Sequence, residues 1–418
     1  MKRTTCRISG EPLVELFSLG DLYVSDFLPK DVQPRSSKVP LTMMLAPESG
    51  LVQLAGTASF DEMYAQYWYR SGTNESMVEE LKQIATSSVK LMGLKEGDVF
   101  LDIACNDGTL FSFVDPSIVR IGFDPAKNTY KEADKTRFSL FINDYFNAGA
   151  YRESQWGSKR AKVITTIAMF YDLEDPRAFV KDVYDIMDDD GLWVVQMSYL
   201  PLMLQQLAFD NICHEHLEYY TLRSFKYLLD QHDMRIVDCQ LNDVNGGSFR
   251  VYIRKNKASP SSFATAPYRD VANFRVESIL AYEDTLSLKD PKTYINFYKK
   301  SCALRDQTTA FLKAEKDKGK KIWAYGASTK GNTLLQWWGI DNTLIDGIAE
   351  RQQMKFGLKT VGTNIPIYSD EDMRKAAPDY LFVLPWHFIE SFVRREQAFL
   401  ERGGKFILPC PRFEIIGK

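Results

Sequence analysis

The sequence predicts an α/β protein built from two strand-and-helix modules behind a small N-terminal domain, on three observations. Strand-like and helix-like runs alternate from about residue 76 to 255, the alternation resumes after 320, and 418 residues exceed what one ordinary hydrophobic core organises. Hydrophobic residues make up 45%, charged residues 26%, and the formal net charge is −3, which excludes a disordered chain and a general nucleic-acid binder. Apolar stretches are broken by charge or proline before about 18 residues, and the opening MKRTTCRISGEP has no apolar segment behind its basic residues. Neither a membrane span nor a secretory signal is expected. The six cysteines, at 6, 105, 213, 239, 302 and 410, form no CxxC pair, so the chain reads as a protein of a reducing cytoplasm without a disulfide framework.

Residues 1–60 carry short apolar runs, LVELFSLG, VPLTMML and GLVQLAG, punctuated by Gly, Pro and Ser, the pattern of a turn-rich appendage. The next part, 61–256, opens on a helix from Ser76 to Met92 by its apolar spacing. Its strands are VFLDIA, VRIGFDP, KVITTIAMF and LWVVQMSYL, and DPRAFVKDVYDIMDDDG reads as an amphipathic helix ending at Gly191. Strands separated by helices imply βαβ units in a mostly parallel sheet. SFKYLLDQHDMRIVDCQLND and GGSFRVYIRK close this part as a helix and an antiparallel hairpin. Residues 257–320 begin as a linker rich in Lys, Ser, Ala and Pro and continue as helix, interrupted at Lys289-Asp290-Pro291. From 321 to 418 the series resumes with KIWAYGAS, TKGNTLLQWWGI, LIDGIAE, DYLFVLPWHF, a charged helix IESFVRREQAFLERGG, and KFILPCP.

VFLDIACNDGTLF runs from a strand through a glycine-containing loop into a helix, and Asp124 closes the next strand about 20 residues on. Such a loop places a ligand at a helix N-terminus, and the second acid binds ribose hydroxyls. Of the glycine-rich pattern only Asp102 and Gly108 remain, with Ala104 and Asn106 at the other glycine places, so an unoccupied strand-to-helix turn is the alternative. Carboxylates at Asp102 and Asp107 disfavour a pyrophosphate and favour a ligand bearing an amino group; S-adenosylmethionine, with its α-ammonium and sulfonium, fits that charge.

LDIACNDGTL, IGFDP, AMFYDLEDP, FDNICHEHLEYYTL, NGGSFRVYIRK, YGASTKGNTLLQWWGI, GTNIPI and LPWHF, in this order along nearly the whole chain, resemble the nucleotide-sugar C-methyltransferases, which methylate carbon 3 of 4-keto sugars. The resemblance implies a small N-terminal domain, a class I S-adenosylmethionine-dependent methyltransferase domain and a C-terminal Rossmann-like domain that binds the sugar nucleotide. It also implies a zinc site held by two cysteine pairs in the N-terminal domain. The matching positions here are Cys6, Ser9, Ala46 and Ser49, and one thiolate does not make a four-coordinate site, so no metal is expected.

Ile212-Cys213-His214-Glu215-His216 gathers two of the four histidines beside a carboxylate. It reads as a metal site at Cys213, His214 and His216, as a buried polar turn, or as acid and base chemistry. The i, i+2 histidine spacing does not match an HExxH helix, whereas imidazole accepts a proton near neutral pH and an adjacent carboxylate orients it or holds the imidazolium. By the resemblance, His216 matches the base and Glu215 its neighbour in the site; the family often has tyrosine where Cys213 stands. Methylation at carbon needs such a base, because a proton next to a carbonyl must leave before the carbon attacks, and the enolate then needs hydrogen-bond donors. The candidate donors to the sugar or its enolate are Tyr67, Tyr69, His214 and Asn245.

Met63-Tyr64-Ala65-Gln66-Tyr67-Trp68-Tyr69-Arg70, followed by Ser71-Gly72-Thr73-Asn74, reads either as a packed lid or as a cap over the methyl donor. In the second reading Ser71 to Asn74 meet the methionine end, and aromatic faces, Tyr69 among them, lie near the sulfonium. Asp144, after FIN, stands where a hydrogen bond to adenine is expected. In the run from Trp323 to Thr333, small residues let amides approach phosphate oxygens while Ser328, Lys330 and Asn332 add donors and charge. Structural packing is the alternative, and the resemblance implies that the sugar nucleotide's pyrophosphate sits there. Glu350, Arg351 and His387 are further lining candidates.

These residues support an S-adenosylmethionine-dependent C-methyltransferase of a nucleotide-linked 4-keto sugar, cytoplasmic, monomeric or homodimeric, with neither nucleic acid nor membrane as partner. The alternatives are a sugar O-methyltransferase, which the same histidine serves, an NAD(P)-dependent oxidoreductase using the YGAS loop, and a non-catalytic nucleotide-sugar binding protein. The lack of GxGxxG in that loop and the presence of HEH argue against the oxidoreductase.

Overall fold

The computed structural model describes residues 3–34, 37–59, 63 and 67–417. Its largest sheet has seven strands, in the order Met234–Asn242, Ser248–Lys255, Met187–Ser198, Ala161–Ile167, Val99–Ile103, Val119–Phe123, Leu140–Ile142. The last five are parallel, and Ser248–Lys255 runs antiparallel between Met187–Ser198 and Met234–Asn242, which is the class I methyltransferase arrangement of a doubly wound sheet. Val99–Ile103 pairs with Val119–Phe123 on one side and Ala161–Ile167 on the other, so the chain order reverses at this strand. The crevice beyond its carboxyl end is where such a sheet takes its ligand.

The first long helix, Glu75–Met92, starts because the Asn74 side chain accepts the amides of Ser76 and Met77, and it stops at Gly93, whose φ of 54° provides the left-handed cap. The helix expected to reach Gly191 ends instead at Ile186, and Met187 to Gly191 opens the next strand as a bulge, with Ala161 opposite Met187 and Val163 opposite Leu192. The neighbouring strand causes this: Lys255 Nζ takes the Met187 carbonyl and Arg254 takes that of Asp190, both at 2.7 Å.

Two helices follow, Ala266–Asp284 and Pro291–Asp317, the second begun by an Asp290 cap with proline in its first turn. The C-terminal sheet has the order Ile367–Ser369, Ile348–Glu350, Ile322–Tyr325, Tyr380–Val383, Lys405–Leu408, Glu414–Ile416, again reversing at its first strand, Ile322–Tyr325. The charged helix expected after Phe388 is two pieces, Ile389–Arg395 and Gln397–Glu401. Between them Glu396 turns inward and accepts the Tyr325 hydroxyl at 2.9 Å and Arg374 Nε at 3.0 Å.

The N-terminal strands Val14–Leu22, Val39–Leu45 and Val52–Leu54 form an antiparallel sheet whose fourth strand is Glu218–Tyr219, just beyond His216. Phe27–Pro29 pairs with Leu358–Thr360 of the C-terminal half. Leu16, Phe17 and Leu54 share one core with Phe297 of the long helix and with Trp323 and Leu334 of the C-terminal module. The residues expected as an appendage are therefore built into the rest of the chain, since a segment of about 60 residues buries too little surface to stand alone easily. No helix among the described residues is long and apolar enough to cross a membrane.

Candidate active site

A cavity of about 520 Å³ lies at the carboxyl ends of the central parallel strands. Asp102, Asn106, Asp124, Asp144, Tyr69 and Ser71 line it, and Tyr67 joins them. In the loop after Val99–Ile103, Ala104, Asn106 and Gly108 take φ of 62°, 50° and 75°, so the left-handed path of a glycine-rich loop is kept where Ala and Asn stand. Gly108 is the one with no room for a side chain, because a Cβ there would meet the Phe138 ring at 2.3 Å. It shapes the loop and is absent from the cavity wall.

Asp124 Oδ2 accepts the Asn106 amide and Oδ1 the Ala126 amide, each at 2.9 Å, and burial raises its pKa. Asp102 accepts the Thr165 hydroxyl at 2.6 Å and is pushed up to about 7 by burial. A cation entering the cavity favours the carboxylate form of both. Asp144 Oδ1 accepts the Tyr145 amide at 2.8 Å. The strap from Tyr67 to Thr73 is tied over the loop: Asn106 Oδ1 accepts the Ser71 amide at 3.1 Å, Asn106 Nδ2 donates to the Tyr69 carbonyl at 3.2 Å, and Asp107 accepts the Gly72 amide at 2.9 Å. Asn74, expected at the methionine end of a donor, is instead committed to its helix cap. Tyr64, Ala65 and Gln66 lie outside the described residues. Acidic groups among aromatic and apolar walls suit a cationic amino-acid head joined to an adenosine, so these residues fit S-adenosylmethionine.

His216 is buried with its ring centroid 4.2 Å from that of Tyr171, and its Nδ1 lies 2.9 Å from the Asn211 carbonyl. A carbonyl only accepts, so Nδ1 carries the hydrogen and Nε2 the lone pair. Burial, then the charge of Lys330, holds His216 well below the usual histidine range, which keeps it neutral. Glu215 is pushed up to about 7 by burial, against the opposing pull of Lys330 and the Thr329 hydroxyl. A carboxyl driven up beside an imidazole driven down is how a site separates an acid from a base.

His214 corrects an expectation. Its Nε2 is 3.0 Å from the Val39 carbonyl, and its Nδ1 is buried without a partner among the described residues. The ring braces the N-terminal sheet and has no proton left for an enolate. Asn245 sits in the Val244–Gly246 turn at φ 54°, beside the glycine that packs on Trp386.

The second loop is also organised differently from its expected role. Ser328 Oγ accepts the Gly331 amide at 3.0 Å and caps the helix Thr329–Trp338. Asn332 Nδ2 donates to the Asp26 carbonyl at 2.9 Å, and Glu350 accepts the amides of Ala327 at 2.9 Å and Arg351 at 2.7 Å. Lys330 Nζ donates to Asn211 Oδ1 at 2.5 Å. A carboxylate already sits on the loop, Asn332 Nδ2 is engaged while its Oδ1 is buried without a partner among the described residues, and the lysine turns into the HEH segment; Glu350, expected as a lining residue, clamps the loop instead. Arg351 is exposed. His387 lines a second cavity of about 360 Å³ between the Trp386–Arg394 stretch and Ser76, Gln206 and Asp243, and burial with the Lys330 charge pushes it down to about 3.

In the N-terminal turns, Cys6 Sγ lies 3.5 Å from Ser49 Oγ. Glu11 accepts the Glu48 amide at 2.6 Å, the Ser49 amide at 2.9 Å and the Ser9 hydroxyl at 2.8 Å. Ala46 offers no ligand, so this donor set does not fit zinc.

Sequence reasoning passed over Asn211, Tyr171 and Asp172. Asn211 holds both His216 and Lys330, Tyr171 backs the imidazole, and Asp172 lines the first cavity. Tyr171 and Asp172 follow the strand Ala161–Ile167, and position at a parallel strand's carboxyl end was the available signal.

A family model described as a methyltransferase domain matches residues 70–238, and one described as a C-methyltransferase C-terminal domain matches 243–411. With the strand order and the acidic cavity at the switch point, they make the chain an S-adenosylmethionine-dependent methyltransferase. It is similar to the C-methyltransferase NovU of Streptomyces niveus, 28% identical over 417 residues that cover 98% of this chain and 96% of that one. A shorter similarity, 26% over 140 residues, covers 30% of this chain and 29% of the sphingolipid C9-methyltransferase of Komagataella phaffii. Among solved structures, the plantazolicin methyltransferase BpumL in complex with SAH aligns over 42% of this chain and 82% of its own, at 14% identity and a TM-score of 0.33.

Proposed function

We propose that this methyltransferase acts on carbon, at a position next to the ketone of a nucleotide-linked 4-keto sugar. The observation that supplies the base is the His216 tautomer: a buried, neutral imidazole whose Nδ1–H is spent on Asn211 presents a basic Nε2 able to take the proton next to a ketone, and carbon is chosen over oxygen on the two likenesses that follow. The similarity to NovU, a C-methyltransferase, and the C-methyltransferase C-terminal domain point the same way. S-adenosylmethionine, when bound, supplies the electrophilic methyl group. Asp124 holds its ribose, Asp144 its adenine, and Tyr69, Ser71 and Asp102 its methionine end. The sugar nucleotide enters between the two α/β modules, where His387 and Lys330 stand. In this reading 1–60 is the N-terminal domain, 61–256 the methyltransferase domain, 257–320 the connection and 321–418 the sugar-nucleotide domain, all working in the cytoplasm.

The experiment is incubation with S-adenosylmethionine and a panel of nucleotide-linked 4-keto sugars, with product masses and carbon connectivity read by spectrometry and NMR. A new carbon-bound methyl on one panel member is expected. Methyl transfer to oxygen, or no transfer to any member while the donor binds, contradicts the proposal.

A further inference from the structure

The base and the lysine of the second module lean on a single residue. Asn211 accepts His216 Nδ1 on its backbone carbonyl and Lys330 Nζ on its side chain. Lys330 extends from the first turn of Thr329–Trp338, a helix end anchored by Ser25 Oγ on the Thr329 carbonyl and by Asn332 on Asp26, both at 2.9 Å. Its ammonium has three N–H groups, and Asn211 takes one. Lys330 forms no ion pair among the described residues, although Glu215, Asp210, Cys213, His216 and His387 all feel its charge. A half-buried cation with spare donors beside a base is placed for an anion that appears only during the reaction.

We propose that Lys330 is the oxyanion donor of this enzyme, a catalytic residue lent to the methyltransferase module by the C-terminal one. This rests on the carbon-methylation reading above. With the ketone seated between the two groups, the α C–H bond breaks and its proton goes to His216 Nε2. The C–H electron pair becomes the C=C bond, the carbonyl π pair moves onto oxygen, and a Lys330 N–H donates to the oxygen that has become negative. The C=C pair then forms the new bond to the methyl carbon while the methyl–sulfur bond of the donor breaks and its pair stays on sulfur, leaving S-adenosylhomocysteine. The oxygen pair re-forms the carbonyl, His216 gives the abstracted proton to solvent, and Lys330 keeps its own proton throughout.

The test compares wild type with Lys330→Met and Lys330→Arg, using dTDP-4-keto-6-deoxyglucose or whichever panel sugar the wild type methylates. Lys330→Met is expected to lower kcat by roughly 100- to 1000-fold, as losing an oxyanion donor does, with KM moving less than about 3-fold, and Lys330→Arg to recover part of the loss. A large rise in KM at nearly unchanged kcat would make Lys330 a ground-state contact and overturn the proposal. The second readout needs no acceptor: the His216 imidazole titration, followed by NMR, should move up in Lys330→Met when the nearby charge is removed. An unmoved titration means the ammonium does not face the base, which also overturns it. If the wild type methylates oxygen, the carbon reading fails instead, while the titration still reports on Lys330's position.

Discussion

Asn106 N lies 2.9 Å from the Asp124 carboxylate, and the same relation recurs in the second module, where Ala327 N lies 2.9 Å from that of Glu350. In each case an acid at the end of the second strand clamps the loop after the first, so one architectural device is used twice. The consequences differ. Asp124 faces a cavity with an acidic wall, whereas Glu350 also takes the amides of Arg351 and Gln352 and has Lys355 Nζ 3.8 Å away.

The first prediction concerns Asp124. Asp124→Ala removes the acceptor of the Asn106 and Ala126 amides as well as the one offered to ribose, and a hydrogen bond involving a charged group is worth about 1.5–3 kcal/mol. S-adenosylmethionine affinity should fall roughly 10- to 100-fold by calorimetry. Unchanged affinity would show that the ribose is held elsewhere.

Donor binding should depend on pH through Asp102. Its carboxyl is pushed up to about 7 in the free cavity, and a bound cation lowers that pKa by favouring the charged form. Binding therefore releases a proton below neutrality, so affinity should rise from about pH 6 to about pH 8 and then level off. Calorimetry in two buffers of different ionisation enthalpy measures the proton directly. Equal affinity at both pH values with no proton released would remove Asp102 from the donor site.

Glu11 should do for the N-terminal turns what a metal does elsewhere. Glu11→Ala leaves the Glu48 and Ser49 amides without their acceptor, at a cost of about 1–3 kcal/mol for the buried Ser49 amide and less for that of the exposed Glu48. Thermal unfolding should show the loss, added zinc should not repair it, and elemental analysis of the native protein should find no stoichiometric zinc. One zinc per chain would overturn the account of these turns.

The parts of the fold that were legible in the sequence are those with strong local periodicity. The strands Val99–Ile103, Val119–Phe123 and Ala161–Ile167 and the helix Glu75–Met92 follow from alternating elements and apolar spacing, and with them comes the cavity at the switch point. What was not legible depends on contacts distant in sequence. Lys330 reads as a loop cation until Asn211 is found beside it, and His214 reads as a donor until Val39 takes its only N–H. Glu396 breaks a helix whose pattern is continuous because Tyr325 and Arg374 pull it inward. Likewise Glu218 and Tyr219 complete a sheet begun far upstream, which no local pattern encodes.

Proton exchange at carbon tests the central claim most directly. Wild-type enzyme held with S-adenosylhomocysteine and the 4-keto sugar nucleotide in deuterated water should place deuterium on the α-carbon, since the enolate forms although no methyl group is present to trap it. His216→Ala should lose both this exchange and methyl transfer while still binding both ligands, whereas His214→Ala should keep both, provided that its fold holds without the Val39 contact. Exchange that survives in His216→Ala, or methylation by the wild type without any exchange, would contradict the assignment of His216 as the base that makes carbon the nucleophile.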